Sequence, residues 1–442
     1  MRSNYMIGLL VVLVISVTGV STWAEALTDD SSALRSEVAE LRGRLAELEA
    51  QQNDAWLSQR RAEEFKGMVR EVLQDADMRA SLLESHMTAG HNGSGFFLSS
   101  EDGSFLLNLR GYVQMRHVNN SVDDGAGIDG TERGFEFPRA KIIASGHIAD
   151  PRLGYLVSLS VNPDTNNVSA DELSISYEWM DGVTISGGES KAPFMREEMI
   201  EPTHQLAVDR SYVNETFTAG IVQGIGVTWD ASDDMLVRLS LNDGAGSGED
   251  GAAGFSGDTT DIAITARVDL KLAGSWDQWS DYSAWSGEGQ ALFVGVGVHH
   301  EVGETGDAAD NDNATGWTVD AALENNGWNL SAAVTGVNTD PEAAADADTY
   351  GIVAQAGYNC SNSGMEPYVR WEQIDFDGAA DDVEILTVGV NRYFSNHAAK
   401  LSVDVVWTSD AIPAAAEDIG IRATGANDDD QVVIRSQLQL MF

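Results

Sequence analysis

The chain ends in the stretch Gln431–Phe442, which reads QVVIRSQLQLMF and alternates apolar with polar side chains. Successive side chains of a strand point to opposite faces. One face then carries Val432, Ile434, Leu438, Leu440 and Phe442, and the other Arg435, Gln437 and Gln439. This pattern predicts a strand between an apolar medium and a wet interior. The edge of a soluble sandwich would show the same alternation, so that alternative stays open for this stretch taken alone.

The start of the chain indicates export. Arg2 is followed by the apolar run Met6–Val20 and by the small residues of Ala24–Ala26. Together these three parts are typical of a secretory signal peptide, which we assign to residues 1–26. A single-pass anchor would need roughly 20 apolar residues, and this run is shorter. Export, together with a terminal Phe442 that resembles the signature read by the barrel-assembly machinery, predicts location in the cell outer membrane.

Composition excludes several classes of function. With 442 residues, 44 glycines and 8 prolines, the chain suits many strands joined by tight turns. A net charge of −44 excludes nucleic acid as a partner, because its phosphates would be repelled. The single cysteine, Cys360, excludes an intramolecular disulfide. Catalytic, cofactor and metal motifs such as Gly-x-Ser-x-Gly or His-Glu-x-x-His do not occur, so we predict neither an enzyme nor a cofactor.

Residues 27–95 differ from the rest of the chain. A heptad seam with alternating spacings of four and three is formed by Leu34, Val38, Leu41, Leu45 and Leu48. It predicts a periplasmic coiled-coil stalk that joins three chains, with a single amphipathic helix as the alternative. Gly90–Gly95 predicts a flexible link.

Residues 96–442 predict a transmembrane barrel. From Phe105 onward, alternating segments of roughly ten residues end in turn residues, which is the barrel signature. We expect about sixteen antiparallel strands, an even number that places both chain ends in the periplasm. Asp181–Gly182 and Asn325–Gly327 predict short hairpin turns. The predicted fold class is therefore all-β, with a helical coiled-coil segment before the barrel.

Four segments of this region resemble the phosphate-selective porin O and P family. They are Phe135–Lys141, Gly187–Phe194, Glu366–Arg370 and Leu386–Asn391. With the terminal strand, the resemblance extends over most of residues 100–442. It implies a trimeric, sixteen-stranded outer-membrane porin whose inward-folded loops narrow a lumen lined by basic residues. The implied function is passive diffusion of small charged solutes, with phosphate as one candidate.

The alternation also assigns charged side chains to the inner face. The inward bases are Arg110, Arg116, Arg139, Lys141, Arg238, Arg267, Arg370 and Arg435. A ladder of arginines could pass anions stepwise through paired hydrogen bonds. The inward acids are Glu172, Glu178, Asp269, Asp320, Glu366, Glu372 and Asp404. Acids paired with these bases would neutralise the field, so a selective path and a neutral one are both open.

A long connection, Glu189–Ala219, is the predicted constriction. It carries the bases Lys191, Arg196 and Arg210 beside Glu197, Glu198, Glu201 and Asp209. Long connections in compact folds tend to be functional, and this one sits where the family's constriction loop would. We expect its three bases to favour anions weakly. An exposed surface loop is the alternative.

Two further clusters have less specific patterns. Trp276, Trp279, Tyr282 and Trp285 predict a membrane-interface cluster on a long periplasmic turn, with sugar stacking as the alternative. The acidic stretches Asp307–Asn313 and Asp375–Gly378 offer oxygen ligands without the complete spacing of a calcium loop. We interpret both stretches as solvated loops.

An envelope protein that tethers the outer membrane through its coiled coil is the alternative function. Deletion of Leu34–Leu48 separates the two. A channel should keep its conductance in planar bilayers, with less stable trimers, because the barrel alone encloses the pore. A full-length chain that conducts poorly, and that loses its cellular function with the seam, would instead support the tether.

Overall fold

The computed structural model describes Glu40 and residues 87–442, except 124–129, 163–166, 249–259, 304–311, 342–345, 361–362, 377–381, 410–411, 413–418 and 423–429. The predicted signal peptide and the heptad seam lie outside the described residues. So do residues 307–311 and 377–378 of the two acidic stretches interpreted as solvated loops. No helix in the described part of the chain has the length and apolar composition that crossing a bilayer requires.

Sixteen antiparallel strands of the described chain, numbered β3 to β18, close into a barrel, as predicted. Strands β1 (Met87–His91) and β2 (Phe96–Ser100) form a hairpin that precedes them. The barrel strands are β3 (Leu106–Asp123), β4 (Gly130–Ile148), β5 (Asp150–Asn162), β6 (Asn167–Met180), β7 (Val183–Lys191), β8 (Ile221–Ser232), β9 (Met235–Asn242), β10 (Thr260–Ala273), β11 (Ala291–Gly303), β12 (Asp312–Asn325), β13 (Trp328–Pro341), β14 (Ala347–Tyr358), β15 (Met365–Phe376), β16 (Val383–Ser395), β17 (Ala399–Thr408) and β18 (Asp430–Met441). Each strand pairs with the next in the chain, and β18 closes the circle by pairing with β3.

The terminal strand has the two faces that its sequence predicts. Leu438 and Leu440 on β18 are exposed on the outside of the barrel, whereas Arg435, Gln437 and Gln439 are buried inside. The same alternation runs through the other strands, because a pairing register fixes which side chains face inward. The inner face is therefore polar and the outer face apolar.

The turn between β12 and β13 illustrates how the strands are joined at one end of the barrel. Asn326 has φ of 45° and Gly327 has φ of 94°. Positive φ at both central residues is the geometry of a type I′ hairpin turn, which asparagine and glycine favour. The turn predicted at Asn325–Gly327 is confirmed.

A hairpin precedes the barrel strands. It consists of β1 (Met87–His91) and β2 (Phe96–Ser100), and β2 pairs with β3 from Leu109 to Leu106. This pairing lies just beyond the point where β18 ends opposite Tyr112, so the hairpin extends the barrel wall. The predicted flexible link at Gly90–Gly95 is instead the end of β1 and the hairpin's turn, in which the Asn92 side chain accepts bonds from backbone N–H groups.

Gly188 is required by the backbone of β7. Its φ is 131°, and a Cβ there would lie 2.0 Å from the carbonyl oxygen of Leu173. At the preceding Gly187 a Cβ would meet nothing closer than 3.7 Å. We expect Gly188→Ala to destabilise the barrel by about 1–3 kcal/mol, because a side chain strains this conformation. Gly187→Ala is the matched control. Equal urea midpoints for the two variants, read from heat-modifiable gel migration, would contradict this prediction.

Candidate functional site

The connection between β7 and β8 folds into the barrel. We call residues 192–220 the inner loop. It contains α1 (Arg196–Met199), a 3-10 turn (Pro202–His204) and α2 (Tyr212–Phe217). Ser211 begins α2 by accepting a hydrogen bond from the backbone N–H of Asn214, and α2 packs against β13, β14 and β15. Most of the inner loop is buried, so the alternative of an exposed surface loop is wrong.

Inward side chains of the strands hold the backbone of the inner loop. Its carbonyl oxygens would otherwise be buried without partners, which costs free energy. The bonds run from Arg267 to Phe194, from Lys400 to Gln205, from Asn391 to Leu206, from Gln437 to Val208 and from Arg370 to Asp209, at 2.7–3.0 Å. The donors come from β10 and from β15 to β18. The inner loop therefore lies against that side of the barrel.

Asp209 anchors the inner loop to β3 and β4. Its carboxylate is buried and accepts hydrogen bonds from Arg116 at 2.8 Å and from Arg139 at 2.7 Å. Burial alone would raise the pKa of this carboxyl, but the guanidinium groups of Arg139 and Arg116 outweigh burial and hold the pKa well below its usual range. The carboxylate therefore stays ionised at neutral pH and keeps both bonds.

A second segment enters the barrel from the end with the short turns. We call residues 274–290, between β10 and β11, the second insert; it contains α3 (Trp276–Trp279). Trp279 and Tyr282 are buried in the lumen, so the predicted membrane-interface position is wrong for these two residues. The Arg196 guanidinium lies 4.8 Å from the centre of the Tyr282 ring and donates to the Trp279 carbonyl at 2.6 Å. The cluster thus binds the inner loop rather than the bilayer.

The two inserts also meet at a pair of histidines. The His204 ring in the inner loop lies 4.4 Å from that of His397, between β16 and β17. His397 is hydrogen-bonded to Asp281 of the second insert at 2.8 Å. Burial and the neighbouring His397 lower the pKa of His204 to about 4. Burial would raise the pKa of Asp281, but His397 outweighs it and lowers that pKa. This junction ties three separate parts of the chain together.

Four of the eight predicted inward bases are covered by the inserts and neighbouring loops. Arg116, Arg267, Arg370 and Arg435 are 0–2% exposed. Their acidic partners are Asp209 for Arg116, Asp269 and Asp320 for Arg267, Glu372 for Arg370, and Asp404 for Arg435. The parity predicted from sequence is correct. These arginines nevertheless stabilise the segments that fill the lumen. In this conformation they are covered, and a solute in the lumen does not contact them.

The other predicted bases remain partly accessible or sit within the inner loop. Arg110, Arg139, Lys141 and Arg238 are partly exposed and pair with Glu201, Asp209, Asp171 and Asp269, respectively. In the predicted constriction, Arg210 is buried in a pair with Glu198 at 3.0 Å, and Arg196 is buried beneath the second insert. Lys191 is partly exposed, and its ammonium donates to the Ile200 carbonyl at 3.4 Å.

An open cavity of about 300 Å³ lies on the side that the inner loop leaves free. We call it the side cavity. It is bounded by the start of the inner loop and by β6, β7, β8 and β9. Its small lining residues include Ser186, Gly188, Ser190, Gly224, Gly226 and Ser240, and its charged ones are Glu172, Lys191 and Arg238. The run of glycine and serine on β7 and β8 is the sequence signal that could have located it.

Replacing Asp209 should loosen the inner loop. Asp209→Asn leaves two guanidinium groups without their shared carboxylate, and breaking a buried pair costs about 3–5 kcal/mol. We expect a lower urea midpoint and a larger, noisier single-channel conductance in planar bilayers. Asp150→Asn is the control, because its pair with Arg152 is exposed and should contribute little. Unchanged stability and conductance in Asp209→Asn would show that this carboxylate does not hold the loop.

The chain is similar to known proteins in its fold and in its sequence. The anion-selective porin from Comamonas acidovorans has a similar fold, with 12% identity and a TM-score of 0.56, and the match covers 76% of this chain and 99% of that one. Salmonella typhi OmpF in complex with daunomycin has 14% identity and a TM-score of 0.52, with 76% of this chain and 98% of that one covered. The trimer form of Vibrio cholerae OmpT has 13% identity and a TM-score of 0.50, with 75% of this chain and 99% of that one covered. At these identities the likeness shows the fold alone. A search of curated protein sequences found no match. The sequence profile of the phosphate-selective porin O and P family matches residues 113–442. Because this match spans most of the chain, the protein belongs to that family.

Proposed function

We propose that this outer-membrane channel protein passes small charged solutes by passive diffusion, anions such as phosphate included, through the side cavity. The observation that carries the proposal is the uneven filling of the lumen. Inward side chains of β10 to β18 are mostly buried, whereas most of those on β6 to β9 are partly exposed. In the part of the chain that the structure describes, the open space for a solute therefore lies beside β6 to β9. Family membership supports the same class of function.

Charge pairing supports a weak preference for anions rather than a strong one. Arg110, Arg139 and Lys141 lie on adjacent strands β3 and β4 beside the open side of the lumen. Each has an acidic partner, which neutralises much of its field. The negative charge of the outer loops is screened over about 8 Å at physiological salt, so residues at the constriction should decide the sign.

The assembly and its partners form part of the proposal. A homotrimer is supported by the trimer form of the similar Vibrio cholerae OmpT. The apolar outer face suits outer-membrane lipid. Phe442 suits recognition by the barrel-assembly machinery, because its backbone pairs with Gly111 at the closing seam while its side chain is half exposed. The signal peptide, the periplasmic stalk and the alternative tether remain predictions.

Reversal potentials test the proposed selectivity. Under a potassium chloride gradient across a planar bilayer, we expect chloride to be preferred over potassium by no more than about fivefold, the effect of one exposed ionic interaction. Arg110→Glu should shift the potential toward cation selectivity, because it replaces a positive charge with a negative one and leaves Glu201 without its basic partner. Arg152→Glu, at the exposed start of β5, is the matched control and should leave the potential unchanged.

Two outcomes would contradict this account of selectivity. Strong cation selectivity in the wild-type channel would remove the anion preference. Block of the chloride current by phosphate far below the chloride concentration would show a specific phosphate site, which paired bases do not favour. A wild-type protein that carries no current would contradict the channel itself.

A further inference from the structure

The side cavity contains two opposite charges that take part in no salt bridge among the described residues. In the part of the chain that the structure describes, its charged lining residues are Glu172, Lys191 and Arg238. Arg238 is neutralised by Asp269 at 2.7 Å. Glu172 and Lys191 take part in no described salt bridge, with each other or with a third residue. This distinguishes them from Arg110, Arg139 and Lys141, each of which is paired.

The two charges come from adjacent strands that frame the mouth of the inner loop. Glu172 lies on β6, where Leu173 pairs with Glu189 of β7, and Lys191 is the last residue of β7. The Lys191 ammonium has three donors, of which one reaches the Ile200 carbonyl. Two donors remain beyond this bond, and Lys191 is partly exposed where it lines the cavity. Glu172 makes no described hydrogen bond through its carboxylate.

The surroundings of this pair suit a small polar molecule. Glycines at positions 188, 224 and 226 line the cavity without side chains, and serines at 186, 190 and 240 supply hydroxyl groups. The cavity volume of about 300 Å³ is at the lower end for small-molecule sites. An anion here would match Lys191 and be repelled by Glu172, and a cation would meet the reverse. A molecule with both charges would match both residues.

We infer that the side cavity binds small zwitterions such as free α-amino acids, with the carboxylate at Lys191 and the ammonium at Glu172. This inference rests on the proposed function, since it takes the cavity as part of the solute path. It deepens that proposal by naming a substrate class. A bound zwitterion carries no net charge through the pore, so its occupancy should appear as a reduction of the salt current.

The test measures potassium chloride conductance of the full-length channel while a solute is titrated. L-alanine should halve the blockable current at a concentration about fivefold lower than L-lactate, which lacks the ammonium, or 1-amino-2-propanol, which lacks the carboxylate. Glu172→Gln and Lys191→Gln should each raise the half-blocking concentration of alanine about fivefold. The exchange Glu172→Lys with Lys191→Glu should restore it, because both charges return to the cavity. Asp181→Asn, in the turn after β6, is the control.

The outcomes separate the inference from the function on which it rests. A channel that conducts salt but is blocked equally by the three solutes overturns the zwitterion site and leaves the channel intact. Alanine block that is unchanged in both single variants places binding elsewhere and also overturns it. Absence of any salt current from the wild-type protein overturns the proposed function instead.

Discussion

The structure of the lumen depends on the attachment of the inner loop to the barrel wall. A polypeptide segment inside a barrel brings backbone groups that must find partners away from bulk water. The wall supplies them through inward side chains such as Asn391, Lys400 and Gln437. Asp209 completes the attachment by sharing its carboxylate between Arg116 and Arg139. These contacts fix where the loop lies, and the loop's position leaves the side cavity open.

Because the inner loop is attached to the wall, the buried arginines have a structural role and do not bind solutes. A guanidinium group can bind a passing phosphate or a fixed carboxylate, and a buried one needs a permanent partner. Arg267, Arg370 and Arg435 have such partners in neighbouring strands or their own. They therefore stabilise the lumen contents. In the proposed function, selectivity depends on the less buried charges near the inner loop, such as Arg110 with its partner Glu201.

Sequence reasoning predicted the barrel and a long connection that narrows its lumen, but not the second insert or the contacts that fill the lumen. The number of alternating segments predicted the number of strands. Within each segment, the period of two identifies which face of the strand a residue occupies, so it also predicted which bases face inward. The period does not say which strands or loops approach that face. Asp209 meets Arg116 across a long sequence separation, and Trp279 meets Arg196 only because both inserts fold inward. An aromatic cluster in a turn has the same sequence pattern at a membrane interface or in a lumen.

Thiol accessibility tests the central claim, that solutes pass through the side cavity and not along the covered wall. In a Cys360→Ser background, Ser240→Cys places a thiol in the side cavity and Ser402→Cys places one beneath the inner loop. A charged methanethiosulfonate reagent should rapidly reduce the conductance of the Ser240→Cys channel and leave the Ser402→Cys channel unaffected. Rapid modification at Ser402→Cys with none at Ser240→Cys would contradict the account.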